Sequence, residues 1–213
     1  MASYDLPQIF NLASSYELPF GRGRYFLGNA NRALNAAIGG WRLSGNFNAT
    51  SGLPLNVTCP GNQLTSRCNL VGDPKAVPGG QNENHWINPA AFQPPFGGDQ
   101  SFWANYDPTD PRAWQFGTAA PRIAQLRSPG FWNVDSALAK EFRLSESKYF
   151  EFRWEMFNAL NHQNLASPNT GFCLPPLPDG STDLVHQSGC QFGRITNVAT
   201  DPRSMEFALK FFW

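Results

Sequence analysis

Charge is what this sequence has least of. Asp, Glu, Lys and Arg make up 15% of its 213 residues, where an ordinary soluble domain has about 25%. Basic and acidic residues number 16 each. With no basic excess there is no electrostatic footprint for nucleic acid, and none is expected as a partner. No apolar run reaches the ~18 residues of a membrane-crossing helix. The first residues, MASYDLPQIF, lack the basic stretch and apolar core of a secretory signal. The G-x-S-x-G, H-E-x-x-H and P-loop patterns are missing too. No catalytic residue and no cofactor site is therefore expected, and the chain is not expected to be an enzyme.

Cysteine and histidine are also sparse, at 4 and 3 residues. Neither local pair, Cys59 with Cys68 or Cys173 with Cys190, has the C-x-x-C spacing of a zinc site. His186 and Cys190 stand four apart, too thin a hint for a metal site, and none is expected. Two disulfides closing short loops fit better, and they require an oxidising compartment. That requirement conflicts with the missing signal unless the natural N-terminus lies upstream of Met1.

What is abundant is aromatic and turn-forming. There are 18 Phe, 7 Trp, 19 Gly and 18 Pro. The aromatics exclude simple disorder, and the glycines and prolines argue against a helical bundle. Five segments alternate apolar and polar residues with period two, the pattern of a strand with one oily and one wet face. They cover about 9–20, 41–57, 131–144, 148–160 and 204–213. In the second, Trp41, Leu43, Phe47 and Ala49 alternate with Arg42, Ser44, Asn46, Asn48 and Thr50, and Leu53, Leu55 and Val57 extend the pattern. In the fourth, Phe150, Phe152, Trp154 and Met156 oppose Glu151, Arg153 and Glu155. A short helix is suggested between the first two strands, at 31–38. Ser145–Ser147 suggest a tight hairpin between the third and fourth. The stretches 58–129 and 161–203 are rich in Pro and Gly and read as two long loops; both cysteine pairs lie in them.

An oily strand face needs a protein core or lipid against it, and period alone does not choose. A soluble β-sandwich, binding carbohydrate through its aromatics, satisfies the pattern. So does a membrane barrel, and three features favour it. A strand of ~10 residues tilted about 40° covers roughly the 25 Å apolar band of an outer-membrane barrel. Aromatics gather near strand ends at Trp41, Trp132, Tyr149, Phe211 and Trp213. Connections alternate short and long, as periplasmic turns and external loops do. In this reading Trp41, Leu43, Phe47, Trp132, Val134, Leu138, Phe150, Phe152, Trp154, Met156, Phe207 and Leu209 face lipid. Arg42, Asp135, Arg143, Glu151, Arg153, Glu155, Glu206 and Lys210 face the lumen, as a polar wall of cross-strand ion pairs. Lys140 falls on the oily face and must snorkel to an interface. Most of the loop aromatics, Trp86, Phe92, Phe96, Phe102, Trp103, Tyr106 and Trp114, are expected to pack the loop against itself. Five strands cannot close a barrel, whose minimum is about eight. The chain is thus expected to be part of a longer protein or of an assembly.

Taken in order, the blocks YELPFGRGRYFLG (16–28), GGWRLSGNFNATSGLPLNV (39–57), WINPAAF (86–92), SPGFWNVDSALAKEFRL (128–144), FEFRWEMFNALNHQNLASPNT (150–170), FGRIT (192–196) and DPRSMEFALKFFW (201–213) resemble the C-terminal end of TonB-dependent outer-membrane receptors. The resemblance is to the Oar-like type, which carries a carboxypeptidase-regulatory-like domain at its N-terminus. It implies an all-β, antiparallel up-and-down fold, with this chain holding the last five strands of a 22-stranded transmembrane barrel. The plug, the N-terminal domains and the earlier strands would lie outside the sequence. It implies uptake of an unidentified ligand across the outer membrane, driven by TonB through the plug. It also implies an assembly signal at Phe207, Leu209, Phe211 and Trp213, read by the barrel-assembly machinery. A passive structural barrel or surface adhesin is a further reading of the same residues.

Overall fold

In the computed structural model, residues 2–60, 67–95, 107, 109–111, 115–145, 147–182 and 186–213 are described. In chain order the elements are β1 (Ile9–Glu17), α1 (Arg32–Ile38), β2 (Trp41–Thr50), β3 (Pro54–Leu55), β4 (Asn69–Leu70), a 3₁₀ turn (Pro89–Ala91), β5 (Phe92–Gln93), β6 (Ile123–Arg127), β7 (Phe131–Arg143), β8 (Tyr149–Phe157) and β9 (Ser204–Phe212). They fall into two compact units. One is a strand unit of residues 8–50, 131–163 and 200–213; the other, a loop unit, comprises 1–7, 51–130 and 164–199.

The strand unit is a five-stranded sheet in the order β1-β2-β7-β8-β9, every pair antiparallel. Among these strands, spatial order follows chain order, so the sheet is an up-and-down meander. The register is continuous. Leu43 lies opposite Leu138, Leu138 opposite Trp154, and Trp154 opposite Phe207. A slip of one residue would turn a whole strand's apolar set to the wrong side, so the alternation itself fixes this pairing. β7 and β8 are joined by the hairpin at 144–148, where the N–H groups of Leu144 and Ser145 both donate to the Lys148 carbonyl at 2.9 and 3.1 Å. Glu146, in its middle, lies outside the described residues. At the same sheet end, β1 and β2 are joined through α1. Asn31 caps this helix, its side-chain oxygen accepting from Leu34 N–H at 2.8 Å, which satisfies one of the donors a helix start leaves free.

The opposite end of β8 is closed by Asn158. It takes a left-handed backbone (φ 49°) that Asn tolerates better than most residues. Its N–H donates to Asp135 Oδ1 (2.9 Å), its Nδ2 donates to the carbonyls of His162 (3.0 Å) and Asp201 (3.1 Å), and its Oδ1 accepts from His162 N–H (2.9 Å). The His162 ring stacks on Trp132 at 3.8 Å. Asn158 is buried, so truncation strands the backbone groups it serves. Asn158→Ala is expected to destabilise the sheet by about 2–3 kcal/mol, read as a lowered denaturant midpoint at unchanged slope.

The loop unit has a core of its own. Leu55, Val57, Cys59, Cys68, Ile87, Ala91, Phe92, Ala119, Ile123, Leu126 and Phe172 form one buried cluster. Two small sheets, β3 with β6 and β4 with β5, run through it. Two disulfides lie in this unit: Cys59–Cys68, with Cα atoms 5.0 Å apart, and Cys173–Cys190, at 5.7 Å.

Strand limits differ from the sequence reading mainly at β2. Alternation predicts a strand over 41–57, yet β2 ends at Thr50 and Pro54–Leu55 form β3 in the loop unit. The break is at Gly52. A Cβ there would sit 1.8 Å from the Ser128 carbonyl oxygen, so the backbone of 128 crosses where a side chain would be. Leu55 and Val57 are buried in the loop core, not part of the sheet face. The other strands are shorter than expected by one to three residues at an end, with β1 stopping at Glu17 before the Leu18–Pro19–Phe20 turn. The segments expected as loops, 58–129 and 161–203, contain β4, β5, β6 and the 3₁₀ turn.

Candidate functional site

The five-stranded sheet carries two chemically opposite faces. On one, cross-strand rows read Phe10–Ala49–Trp132, Leu12–Phe47–Val134, Leu43–Leu138–Trp154–Phe207, Phe142–Phe150–Phe211 and Met156–Met205. All twelve residues expected to face lipid lie on this face. Its side chains are unusually open: Phe207 and Leu209 are 67% and 68% exposed, and Phe10 and Leu12 are more than half exposed. The rings form a layer among themselves, with Phe150–Phe211 at 4.7 Å, Trp154–Phe207 at 5.9 Å and Phe47–Trp132 at 6.3 Å. An exposed apolar surface running across five strands marks a face that meets lipid or another protein.

One cation interrupts this face, and it is contained. Lys140 is only 3% exposed. Its Nζ sits 4.8 Å from the Trp41 ring and 4.9 Å from the Phe142 ring, and donates to the Gly39 carbonyl at the end of α1. Two aromatic faces and a carbonyl dipole replace part of the ammonium's hydration. Trp41 is held in turn by its indole N–H, which donates to the Ala37 carbonyl at 3.1 Å. The lysine thus reaches the sheet end by lying along its own strand.

The other face is a charged wall. All eight residues expected to face a lumen lie on it. Arg42 of β2 reaches Glu151 of β8 at 3.4 Å, over the intervening β7. That reach depends on Ala139, which lies directly between Arg42 and Arg153 in the register and is buried. Arg153 sits 4.0 Å from Glu151 and 2.5 Å from Glu155. Glu155 is directly opposite Glu206, a like-charge pair that Arg153 offsets. Arg143 pairs with Glu141 at 3.3 Å. Asp135 accepts from Asn133 Nδ2 at 2.8 Å.

The loop aromatics Trp86 and Phe92 pack inward. Phe92 is buried, 5.9 Å from Phe192 in an edge-to-face contact. The Trp86 indole N–H donates to the Arg127 carbonyl at 2.7 Å. Phe96, Phe102, Trp103, Tyr106 and Trp114 lie outside the described residues. No group of three or more His, Cys, Asp or Glu poised for a metal occurs among the described residues.

At the C-terminus, Phe207, Leu209 and Phe211 stand on the apolar face of β9. Trp213 follows the strand's end at 86% exposure, its ring 5.9 Å from Phe211. Among the described residues, β9 pairs with β8 alone and β1 with β2 alone. Each outer edge therefore presents unpaired backbone groups.

Sequence reasoning passed over one feature, a cavity of ≈ 630 Å³ at the turn end of the sheet, between the β1–β2 connection and β7. Five arginines line it: Arg22, Arg24, Arg32, Arg42 and Arg143. The available signal was the GRGR run at 21–24.

The family model of the outer membrane beta barrel domain matches residues 1–206. No curated protein and no solved structure matches the chain.

Proposed function

The chain belongs to the outer membrane beta barrel domain family and is a protein of the outer membrane of a Gram-negative-type bacterium; from that premise we propose that it supplies the last five strands of a 22-stranded TonB-dependent transporter. The single observation that carries the barrel part is the division of the sheet into one open apolar face and one ion-paired face. A bilayer accepts the first, and a water-filled lumen accepts the second. The two open edges follow from the same reading. Backbone groups facing hydrocarbon must be paired, so β1 and β9 each take a neighbouring strand in the closed barrel. The C-terminal strand, with Phe207, Leu209, Phe211 and Trp213, is the segment the assembly machinery reads by strand addition.

The ordered sequence blocks support the transporter part. In such a receptor the loop unit, which holds both disulfides, stands outside the cell, where disulfides persist. The ligand binds there and passes through the lumen when TonB moves the plug. Translating the coding DNA upstream of Met1 tests this. A plug domain and a TonB-contact segment in the same frame are expected. A frame that holds further strands and no plug would replace transport by a passive structural barrel or adhesin.

A further inference from the structure

The cavity at the turn end of the sheet has a charge pattern that the barrel architecture does not require. Three of its five arginines are matched: Arg24 with Glu17 at 2.6 Å, Arg143 with Glu141 at 3.3 Å, and Arg42 with Glu151 at 3.4 Å. Arg22 and Arg32 make no ion pair among the described residues. Two unmatched guanidinium groups beside three matched ones leave net positive charge in a concave site, in a chain whose formal net charge is +0.

The cavity is also built in advance. Arg22 N–H donates to Asn35 Oδ1 at 2.6 Å, tying the GRGR loop to α1. The Gly21 N–H donates to the Phe26 carbonyl, and Gly23 N–H to that of Gly28, each at 3.0 Å. Gly21 has φ +108°, and a Cβ there would lie 2.6 Å from Asn35 Oδ1 and 2.8 Å from the Gly39 Cα. The loop therefore holds its shape through backbone contacts that only glycine permits. The Arg22 guanidinium takes no part in these contacts.

The cavity wall is mixed in a telling way. Phe20, Trp41, Phe142 and Leu144 line it beside the arginines. Trp41 and Phe142 belong to the apolar face of the sheet, and Arg42 and Arg143 to the polar one. The site thus straddles the rim, where apolar surface gives way to water. Guanidinium groups bind phosphate oxygens through paired N–H donors.

We propose that this rim cavity binds a phosphate group, presented by an anionic lipid headgroup whose acyl chains lie along the apolar face. Arg22 and Arg32 supply the binding charge. The assignment to lipid rests on the apolar face being the membrane-facing one, as in the proposed function.

The test uses the full-length protein in detergent micelles. A variant keeping Trp41 alone, with the other tryptophans replaced by Phe, is followed by its fluorescence during titration with short-chain phosphatidylglycerol, short-chain phosphatidylcholine and inorganic phosphate. Phosphatidylglycerol is expected to bind at least about tenfold more tightly than either of the others. Arg22→Gln with Arg32→Gln should weaken it by about tenfold or more, while Arg22→Lys with Arg32→Lys keeps most of the binding, and Lys75→Gln, in the loop unit, leaves it unchanged. Equal affinity for inorganic phosphate would overturn the lipid assignment. Equal affinity for the two lipids, or no loss in the double Gln variant, would overturn the site. Should the protein prove soluble and monomeric without detergent, the membrane reading itself fails, a result seen before any titration.

Discussion

Leu138→Arg is expected to destabilise the folded protein in a bilayer by about 2–4 kcal/mol, the cost of a cation at the midplane of a barrel's lipid face. Leu138 is central in both directions. It lies in the row Leu43–Leu138–Trp154–Phe207, on the middle strand of the sheet. An arginine there is too far from either sheet end to do what Lys140 does. Lys140 is placed where Trp41, Phe142 and the Gly39 carbonyl can receive it. Depth makes this prediction specific to lipid. Phe150→Arg, in the row nearest the hairpin, is expected to cost only about 0–1 kcal/mol, because its guanidinium reaches the headgroups. On the polar face, Asn46→Arg stands opposite Asp135 and is expected to stay within about 0.5 kcal/mol of the parent. Reversible denaturant unfolding from vesicles measures all three. Equal penalties for Leu138→Arg and Phe150→Arg would indicate a protein layer over this face, since a packed core has no depth gradient of this kind.

The second large effect is expected at Gly52. Replacing it with Ala puts a methyl group 1.8 Å from the Ser128 carbonyl oxygen, 2.6 Å from the Ser128 carbonyl carbon and 3.0 Å from the Pro129 carbonyl oxygen. All three are backbone atoms, so no side chain can rotate away. Relief requires the segment around 128 to shift. That movement opposes two mutual bonds: Ser128 N–H donates to the Leu53 carbonyl at 2.9 Å, and Leu53 N–H donates to Ser128 Oγ at 3.0 Å. It also disturbs Arg127, whose Nη1 donates to the Gly52 carbonyl at 3.1 Å. Overpacking of this kind costs about 1–3 kcal/mol, and more where backbone must move. Gly52→Ala is expected to open the loop unit to limited trypsin digestion several-fold faster than the parent. Gly79→Ala, where nothing lies within 4 Å of the added Cβ, is the control. Its φ of +78° adds strain of its own, so its effect should be small but not zero. A Gly52→Ala protein as resistant as the parent would show that the crossing at 52 and 128 is not close.

The sheet was legible because period two is a strong local signal. Nothing between Phe150 and Met156 breaks the alternation, and between Met205 and Phe211 the one exception is Ala208; each residue takes the face that its parity assigns. Lys140 was legible in position and not in partners, since Gly39 is brought to it only by the return of the β1–β2 connection. The extension of β2 to Val57 misled because alternation does not report which sheet a strand joins. Leu53, Leu55 and Val57 keep the parity of Trp41, while Gly52 and Pro54 carry the break. The loop unit was opaque for a related reason. Its strands are mostly two residues long, too short to show a period, and its core is assembled from residues as distant as Leu55 and Phe172. Of the rim cavity the sequence shows only the GRGR run, because Arg22 and Arg32 meet Arg42 and Arg143 only once β2 pairs with β7.

The central claim is that the apolar face meets acyl chains, and Trp154 reports on it. A variant keeping Trp154 alone, with the other tryptophans replaced by Phe, would be reconstituted into bilayers carrying bromine at mid-chain. Strong quenching by the brominated chains, with little quenching by aqueous iodide, is the result this account requires. Fluorescence untouched by bromine and iodide alike would place Trp154 beneath protein, and the sheet would then be half of a soluble sandwich.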